Sequence, residues 1–109
     1  MADEADLLPG TLDLLILKSV SLGSEHGYGI LLRIQQITGD VLQVRPGALY
    51  PALHRMEEAG WITAEWVVTE NKRRARIYRI TKAGIKQLAL ETERWTSFSA
   101  GVARVLRHA

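Results

Sequence analysis

The chain has 109 residues, of which 47% are apolar and 24% charged, and this length and composition indicate one globular domain. It contains no cysteine, which excludes a disulfide framework and thiolate chemistry and is compatible with a reducing cytoplasm, the compartment we expect. No apolar stretch approaches the roughly 20 residues of a membrane span and no signal-like segment opens the chain, so we expect neither a membrane partner nor export.

The formal net charge is only +2, but the basic residues are unevenly distributed. One short segment holds Lys72, Arg73, Arg74, Arg76, Arg79 and Lys82. A local basic patch is the electrostatic footprint of a nucleic-acid binder. A charged hairpin that is merely solvated is the alternative.

The first helix is predicted after a flexible leader, residues 1–10. Thr11 is the predicted N-cap, and the helix continues to Gly23. Its side chains are apolar almost all round the axis, and such a helix must be covered on more than one face. In so small a domain a second subunit is the expected cover.

The second helix follows a predicted turn at residues 24–29. Gly27 and Gly29 are poor residues for a helix interior, so they predict a close backbone approach at the helix start, with the first helix as the expected neighbour. His26 is either a cap or packing residue, or a phosphate or metal contact. The helix is predicted to stop near Gly39, and its apolar stripe comprises Ile30, Leu31, Ile34 and Ile37.

The third helix is predicted within residues 45–62, R-P-G-A-L-Y-P-A-L-H-R-M-E-E-A-G-W-I. Leu49, Leu53 and Met56 fall at i, i+4 and i+7, which is one buried stripe. Two prolines flank the first turn, where a missing amide hydrogen costs little, and Gly60 is the predicted left-handed stop.

The residues turned away from that stripe present a phenol, an imidazole and a guanidinium beside the amides of the helix N-terminus. They are Ala48, Tyr50, Pro51, His54 and Arg55. Such a surface suits phosphates and the groove edges of nucleic acid. An ordinary amphipathic helix with a polar outer face is the alternative.

Catalysis and metal binding are not expected. Tyr50 and His54 lie one turn apart with carboxylates nearby, but no glycine-rich phosphate loop, nucleophile motif or metal-spaced ligand cluster accompanies them. His26, His54 and His108 are too dispersed to predict a metal site, and we expect no cofactor.

A two-stranded hairpin is predicted next. Residues 61–69 are rich in β-branched and aromatic side chains and predict a strand, and residues 75–80 predict the returning strand, with Tyr78 and Ile80 turned inward. The residues expected to share one face of the first strand are Ile62, Ala64, Trp66 and Val68. Three helices followed by a hairpin with a basic tip, residues 11–80, are the order of a winged helix-turn-helix.

The last helix is predicted from Lys82 to about Arg107, with Thr81 as its cap. Its seam follows alternating three- and four-residue steps through Ile85, Leu88, Thr92, Trp95, Ser99, Val102 and Leu106, and is widened by Phe98 and Val105. Polar residues on the seam make a weak autonomous coiled coil, so this segment, residues 81–109, is predicted to dimerise by two-fold symmetry across the first helix of a partner. The predicted interface comprises Leu12, Leu15, Ile16, Leu88, Trp95, Phe98, Val102, Val105 and Leu106.

Four motifs stand out in this chain: L-P-G-T-L-D-L-L-I-L (8–17), H-G-Y-G-I (26–30), G-A-L-Y-P-A-L-H-R-M-E-E-A-G-W-I (47–62) and R-R-A-R-I-Y-R-I-T-K-A-G (73–84). In this order and spacing they resemble the PadR family of transcriptional regulators. The resemblance implies a dimeric winged helix-turn-helix protein, usually a repressor of an inverted-repeat promoter site, that dimerises through its C-terminal helix. With a single such helix, the chain is similar to the short branch of the family.

The resemblance also implies DNA contacts by Tyr50 and by Arg73 and Arg74 of the hairpin, and it matches Gly47, which allows close approach to DNA or a tight helix start. For the two arginines a separate argument holds, since a guanidinium on a flexible tip can reach a phosphate or a narrow minor groove. The full predicted DNA-binding set is Gly47, Ala48, Tyr50, Pro51, His54, Arg55, Lys72, Arg73 and Arg74.

The predicted function is therefore that of a sequence-specific regulator, a dimeric repressor of a palindromic DNA site that a small-molecule effector releases. Two copies of Trp95, flanked by Phe98, would face each other across the dimer and form a slot for a planar aromatic compound. A purely structural role for Trp95 in the interface is the alternative there. For the whole chain, the alternative is a winged-helix protein–protein interaction module that does not bind DNA.

Overall fold

Three short helices enclose one apolar core, and a small sheet and a long fourth helix complete it. The computed structural model describes residues 10–109, so all but the last residue of the predicted leader lies outside the described residues. The elements follow in the order α1 (Thr11–Ser21), β1 (Glu25–His26), α2 (Gly27–Ile37), α3 (Pro46–Glu58), β2 (Ile62–Val68), β3 (Arg74–Ile80) and α4 (Lys82–Arg107). The predicted mainly helical fold with a β-hairpin is confirmed.

The core draws side chains from α1, α2 and α3, together with Val44 before α3, Ile62 of β2 and Tyr78 of β3. Its fully buried members are Ile16, Leu17, Ile30, Leu49, Leu53, Met56 and Ile62. The predicted α3 stripe is thus confirmed, because all three of its residues are buried. Burial of each such side chain contributes roughly 1.5–3 kcal/mol to the stability of the fold. The three buried side chains of α3 therefore hold this helix against the core, and its opposite face lies in solvent.

The end of α3 is set by Gly60, which adopts the left-handed conformation with φ +80°. Its amide donates to the carbonyl of Glu57, and the amide of Trp61 donates to the carbonyl of Met56, both at 3.0 Å. This pair of bonds is a Schellman motif, which satisfies helix carbonyls that would otherwise lack donors. The predicted stop is confirmed.

The sheet has three strands in the order β1-β3-β2, whereas the sequence predicts a hairpin of two. The additional strand, β1, pairs antiparallel with β3 through Glu25 opposite Tyr78 and His26 opposite Ile77. The prediction of a simple turn at residues 24–29 is therefore wrong. A strand of two residues carries no alternation pattern, so only its long-range partner reveals it.

The hairpin extends beyond the core, and this changes the environment of its outer half. Ile62 is buried and Ala64 half-buried as expected, but Trp66 and Val68 are 57% and 73% exposed. Tyr78 on β3 is buried, as predicted. The burial alternation predicted for β2 therefore holds only at Ile62 and Ala64 and is lost in the outer half of the strand, where Val67 is more buried than Trp66 and Val68.

Two helix caps predicted from sequence have different outcomes. Thr81 caps α4, since its hydroxyl accepts a hydrogen bond from the Gly84 amide at 3.0 Å. Thr11 is not the N-cap of α1; Gly10 is, with φ +86°, and Thr11 is the first helical residue. Ile37 is also misassigned, because at the last position of α2 its side chain is 66% exposed and lies off the core.

The fourth helix packs on α1 through its N-terminal half, where Gly84 is buried and Leu88 lies against the core. Its apolar face continues into solvent, with Trp95, Phe98, Val102, Val105 and Leu106 all exposed. Ile16 is fully buried within this chain, so it cannot contribute to the predicted interface between subunits. Within residues 10–109, no helix combines the length and apolar character that crossing a membrane requires.

Candidate nucleic-acid interface

The outward face of α3 gathers six of the nine predicted DNA contacts on one surface. Because α3 turns its apolar stripe inward, the residues on its opposite face are all exposed: Gly47, Ala48, Tyr50, Pro51, His54 and Arg55. Pro46 occupies the first helical turn, where its fixed φ suits the helix and its missing amide hydrogen has no helical acceptor. The prediction that Pro51 also lies at the first turn is wrong, because Pro51 lies inside α3, where its missing amide hydrogen removes one helical bond. The exposed set therefore lies along the first ten residues of a well-anchored helix of 13.

The ring of Tyr50 lies against the first residue of α2. A Cβ atom added at Gly27 would come within 2.7 Å of the Tyr50 Cε1 atom and 2.9 Å of its hydroxyl oxygen. The close approach predicted at Gly27 is therefore real, but its neighbour is α3 rather than α1. Tyr50 remains 46% exposed, so a substantial part of its ring stays accessible.

The guanidinium of Arg55 forms a two-pronged ion pair with Asp13 of α1. Its Nη1 and Nη2 atoms donate to the two carboxylate oxygens at 2.7 and 2.9 Å. Hydrogen bonding to Asp13 raises the pKa of Arg55 and outweighs the opposing effect of desolvation. The guanidinium of arginine has five N–H donors, and the pair with Asp13 uses only two of them. A phosphate contact by Arg55 would use the remaining donors.

The hairpin tip is a tight turn that presents Lys72 and Arg73 to solvent. The Lys72 amide donates to the carbonyl of Thr69 at 2.9 Å, and the Thr69 amide donates to the carbonyl of Arg73 at 2.8 Å. Lys72 itself adopts the left-handed conformation with φ +59°. This is the arrangement of a three-residue hairpin loop, which needs a left-handed residue at its third position and no Asn-Gly pair.

The remaining arginines of the basic segment have structural partners. Arg74 and Arg76 lie over the ring of Trp66, with Cζ atoms 4.7 and 5.8 Å from its centroid. Arg76 also donates to the Glu57 carboxylate at 2.9 Å, which ties the hairpin to α3. The basic patch predicted from sequence is therefore divided: Lys72 and Arg73 lie at the tip, Arg74 next to them is exposed although it lies over Trp66, and Arg76 is held by both Trp66 and Glu57.

His26 is a helix cap in the structure. Its Nδ1 atom accepts a hydrogen bond from the Gly29 amide at 3.0 Å, and its Nε2 atom lies 3.4 Å from the Glu25 carboxylate. Of the alternatives that the sequence leaves open, capping is thus the one observed. In the part of the chain that the structure describes, no group of three histidine, cysteine or acidic side chains is arranged to hold a metal ion.

A groove of about 510 Å³ lies between the start of α1 and the middle of α4. Trp95 and Phe98 line it, with ring centroids 6.2 Å apart. The groove also includes Asp13 from α1 and Glu91 and Arg94 from α4, which sequence reasoning missed. Glu91 and Arg94 lie one helical turn from Trp95 and Phe98, so helical spacing is the signal that could have found them.

Two helices of a helix-turn-helix followed by a β-hairpin, with a long C-terminal helix appended, define a winged-helix protein. The chain matches the family model "Transcriptional regulator PadR-like family" over residues 16–90, which is most of its length. It therefore belongs to the PadR-like family of transcriptional regulators.

Similar proteins come from several bacteria. A transcriptional regulator from Clostridium thermocellum is 30% identical, with a TM-score of 0.80 over 87% of this chain and 92% of that one. A PadR-like transcriptional regulator from Bacillus cereus is 25% identical, with a TM-score of 0.78 over 92% and 95% of the two chains. Transcriptional regulator Rv3488 of Mycobacterium tuberculosis is 42% identical over 50 residues, so the matched segment spans 46% of either protein.

Proposed function

We propose that this chain regulates transcription by binding double-stranded DNA in a sequence-specific manner, with α3 in the major groove and the hairpin along the adjacent backbone. The observation that carries this proposal is the exposed N-terminal half of α3 beside a hairpin whose tip presents Lys72 and Arg73. The Arg76–Glu57 ion pair supports a fixed relation between the two elements. A helix in the major groove and a β-ribbon over phosphates is a known docking geometry.

The two kinds of contact have different roles. Lys72, Arg73, Arg74, Arg55 and the amides at the start of α3 would bind phosphates and supply most of the affinity. Ala48, Tyr50, Pro51 and His54 would face base edges and select the sequence. Gly47 has no side chain, so the backbone of the first turn can approach the DNA closely.

A symmetric dimer is the second part of the proposal. The C-terminal half of α4 leaves a contiguous apolar face in solvent, and a single soluble chain rarely exposes such a patch. A second copy would cover it by two-fold symmetry, together with Leu12 and Leu15 of α1. The two α3 helices would then lie about 34–36 Å apart, which is one turn of B-DNA. Because the dimer is two-fold symmetric, the DNA site it binds would be palindromic.

Selection of bound fragments from genomic DNA by the purified chain tests this function. We expect an inverted repeat, bound tightly in an anisotropy titration, and much weaker binding to a scrambled duplex of the same length. Sedimentation of the free chain should give a dimer. A monomer that ignores duplexes even at low ionic strength would instead identify a protein–protein interaction module.

We further propose that this protein is a repressor that a planar aromatic compound releases from DNA. The α1–α4 groove has the size of a small-molecule site, and Trp95 and Phe98 supply flat apolar surface. Binding there would shift the spacing of the two subunits and with it the spacing of the α3 helices. We expect flat aromatic compounds to quench tryptophan fluorescence in the wild type and in Trp66→Ala, but not in Trp95→Ala. If Trp95 only fills the interface, no compound of a broad panel will quench.

A further inference from the structure

We propose that Gly27 is a positioning residue for the DNA-facing ring of Tyr50, because its bare backbone is the surface on which that ring rests. The inference depends on the proposed function, since it concerns the orientation of Tyr50 at the DNA. No other residue type fits at position 27 without moving the ring.

The contact is between a rigid surface and a side chain that is only half covered. Gly27 is buried, and an added Cβ would lie 2.7 to 3.0 Å from three atoms of the Tyr50 ring. Separations below 3.0 Å between a Cβ and a heavy atom cannot persist, so the ring must turn or shift when a methyl group is added. The exposed part of the ring would then present a different edge to the groove.

The backbone of Gly27 is itself held from two directions. The preceding residue, His26, pairs with Ile77 of β3, and its side chain caps α2 through the Gly29 amide. The surface under Tyr50 is therefore fixed relative to the sheet that carries the hairpin tip. A ring held this way has lost rotamer freedom before it meets DNA, which lowers the entropic cost of binding.

The decisive variant is Gly27→Ala. Alanine is a better helix former than glycine, so the helix start is expected to form and a circular-dichroism melt should show a folded protein. Affinity for the selected operator should fall about fivefold or more. This is the lower end of the loss in affinity that is expected when one base-edge contact is displaced. The slope of affinity against salt should stay at the wild-type value, since no phosphate contact is removed.

A double-mutant cycle separates positioning from general damage. In a Tyr50→Ala background there is no ring to displace, so Gly27→Ala should change affinity by less than about twofold. Gln36→Ala is the control on the same helix, because Gln36 is exposed and belongs neither to the DNA-facing set nor to the proposed dimer face, and it should bind the operator like the wild type.

Nuclear magnetic resonance tests the contact in the unmodified protein and does not depend on how the alanine variant folds. The Gly27 protons should carry a ring-current shift that Tyr50→Leu abolishes. The absence of that shift, an unchanged affinity of Gly27→Ala, or an equal loss in the Tyr50→Ala background would overturn the positioning role alone. If the wild-type chain binds no duplex at all, the proposed function fails and this inference fails with it.

Discussion

Arg55 on α3 and Asp13 on α1 are joined by two short hydrogen bonds, at 2.7 and 2.9 Å, although 42 positions separate them in the chain. Arg55 belongs to the proposed DNA-facing surface, while Asp13 also lines the groove that contains Trp95 and Phe98. The pair is thus a direct polar connection between the two proposed binding regions. The pair should also contribute to the free energy of unfolding.

Neutralising this pair should reveal a modest coupling free energy. Arg55 is more than half exposed, so solvent screening weakens its interaction with Asp13. We expect a coupling free energy of about 0.5–1 kcal/mol from a double-mutant cycle of Asp13→Asn, Arg55→Gln and the double variant. The free energy of unfolding should be measured in urea at one protein concentration, because the stability of the proposed dimer would depend on concentration. The coupling should shrink in 1 M salt; a value of zero at low salt would show that the pair is not maintained in solution.

Removing the arginines near the hairpin tip should weaken binding to all duplexes alike. For Arg73→Ala combined with Arg74→Ala, counterion release predicts that the slope of log affinity against log salt falls by about 0.9 for each lost phosphate contact. Arg79→Ala is the matched control, since Arg79 pairs with Glu65 and lies away from the tip, and it should retain the full slope. A titration in which the double variant keeps the wild-type slope would contradict the assigned role.

Two glycines of α4 should respond to alanine in opposite directions. At Gly84 an added methyl group would collide with the carbonyl oxygen of Trp61, which is backbone and cannot move aside cheaply. We expect Gly84→Ala to lower the free energy of unfolding by more than about 2 kcal/mol, in the range of overpacked sites. At Gly101 an added methyl group meets no atom of its own chain within residues 10–109, so Gly101→Ala should gain up to about 1 kcal/mol from helix propensity. Equal melting temperatures for the two variants would disprove the close contact of α4 with Trp61.

Stability at alkaline pH should depend on Tyr78. Burial raises the pKa of its phenol above the ordinary value, against a smaller opposing effect of Arg76. The folded state therefore keeps this proton at a pH where the unfolded chain releases it, so stability is lost as pH rises from about 10 towards the raised value. Tyr78→Phe should remove that part of the pH dependence.

Unfolding in urea between pH 8 and 11 measures this effect. Tyr28→Phe provides the control, because Tyr28 is 56% exposed whereas Tyr78 is buried. An alkaline slope in Tyr78→Phe equal to that of the wild type would show that burial of the phenol does not contribute.

The sequence predicts features that depend on local periodicity. Leu49, Leu53 and Met56 mark the buried face of α3 because helical spacing repeats within the segment, and the position of Tyr50 on the opposite face follows from it. Thr81 was identifiable because a hydroxyl before a run of helix formers is a strong start signal. These local rules give the elements and the candidate surface.

Features that depend on distant partners could not be predicted. Nothing near Arg55 in the chain indicates that Asp13 will bind it, and the glycine at position 27 predicts a close neighbour without identifying Tyr50. The exposure of Trp66 depends on how far the hairpin extends past the core, which is a property of the whole fold. Residue types alone also made the arginines of the hairpin look equivalent, although Arg76 pairs with Glu57 and Arg73 lies at the tip.

The pairing of β1 with β3 has a consequence for how this protein is made. Glu25 meets Tyr78, so the sheet cannot be completed until about fifty further residues have left the ribosome. Contacts of such long sequence separation form late, because the loop between them must close first. Until then Tyr78, which is buried in the finished protein, cannot cover the core that α1, α2 and α3 form.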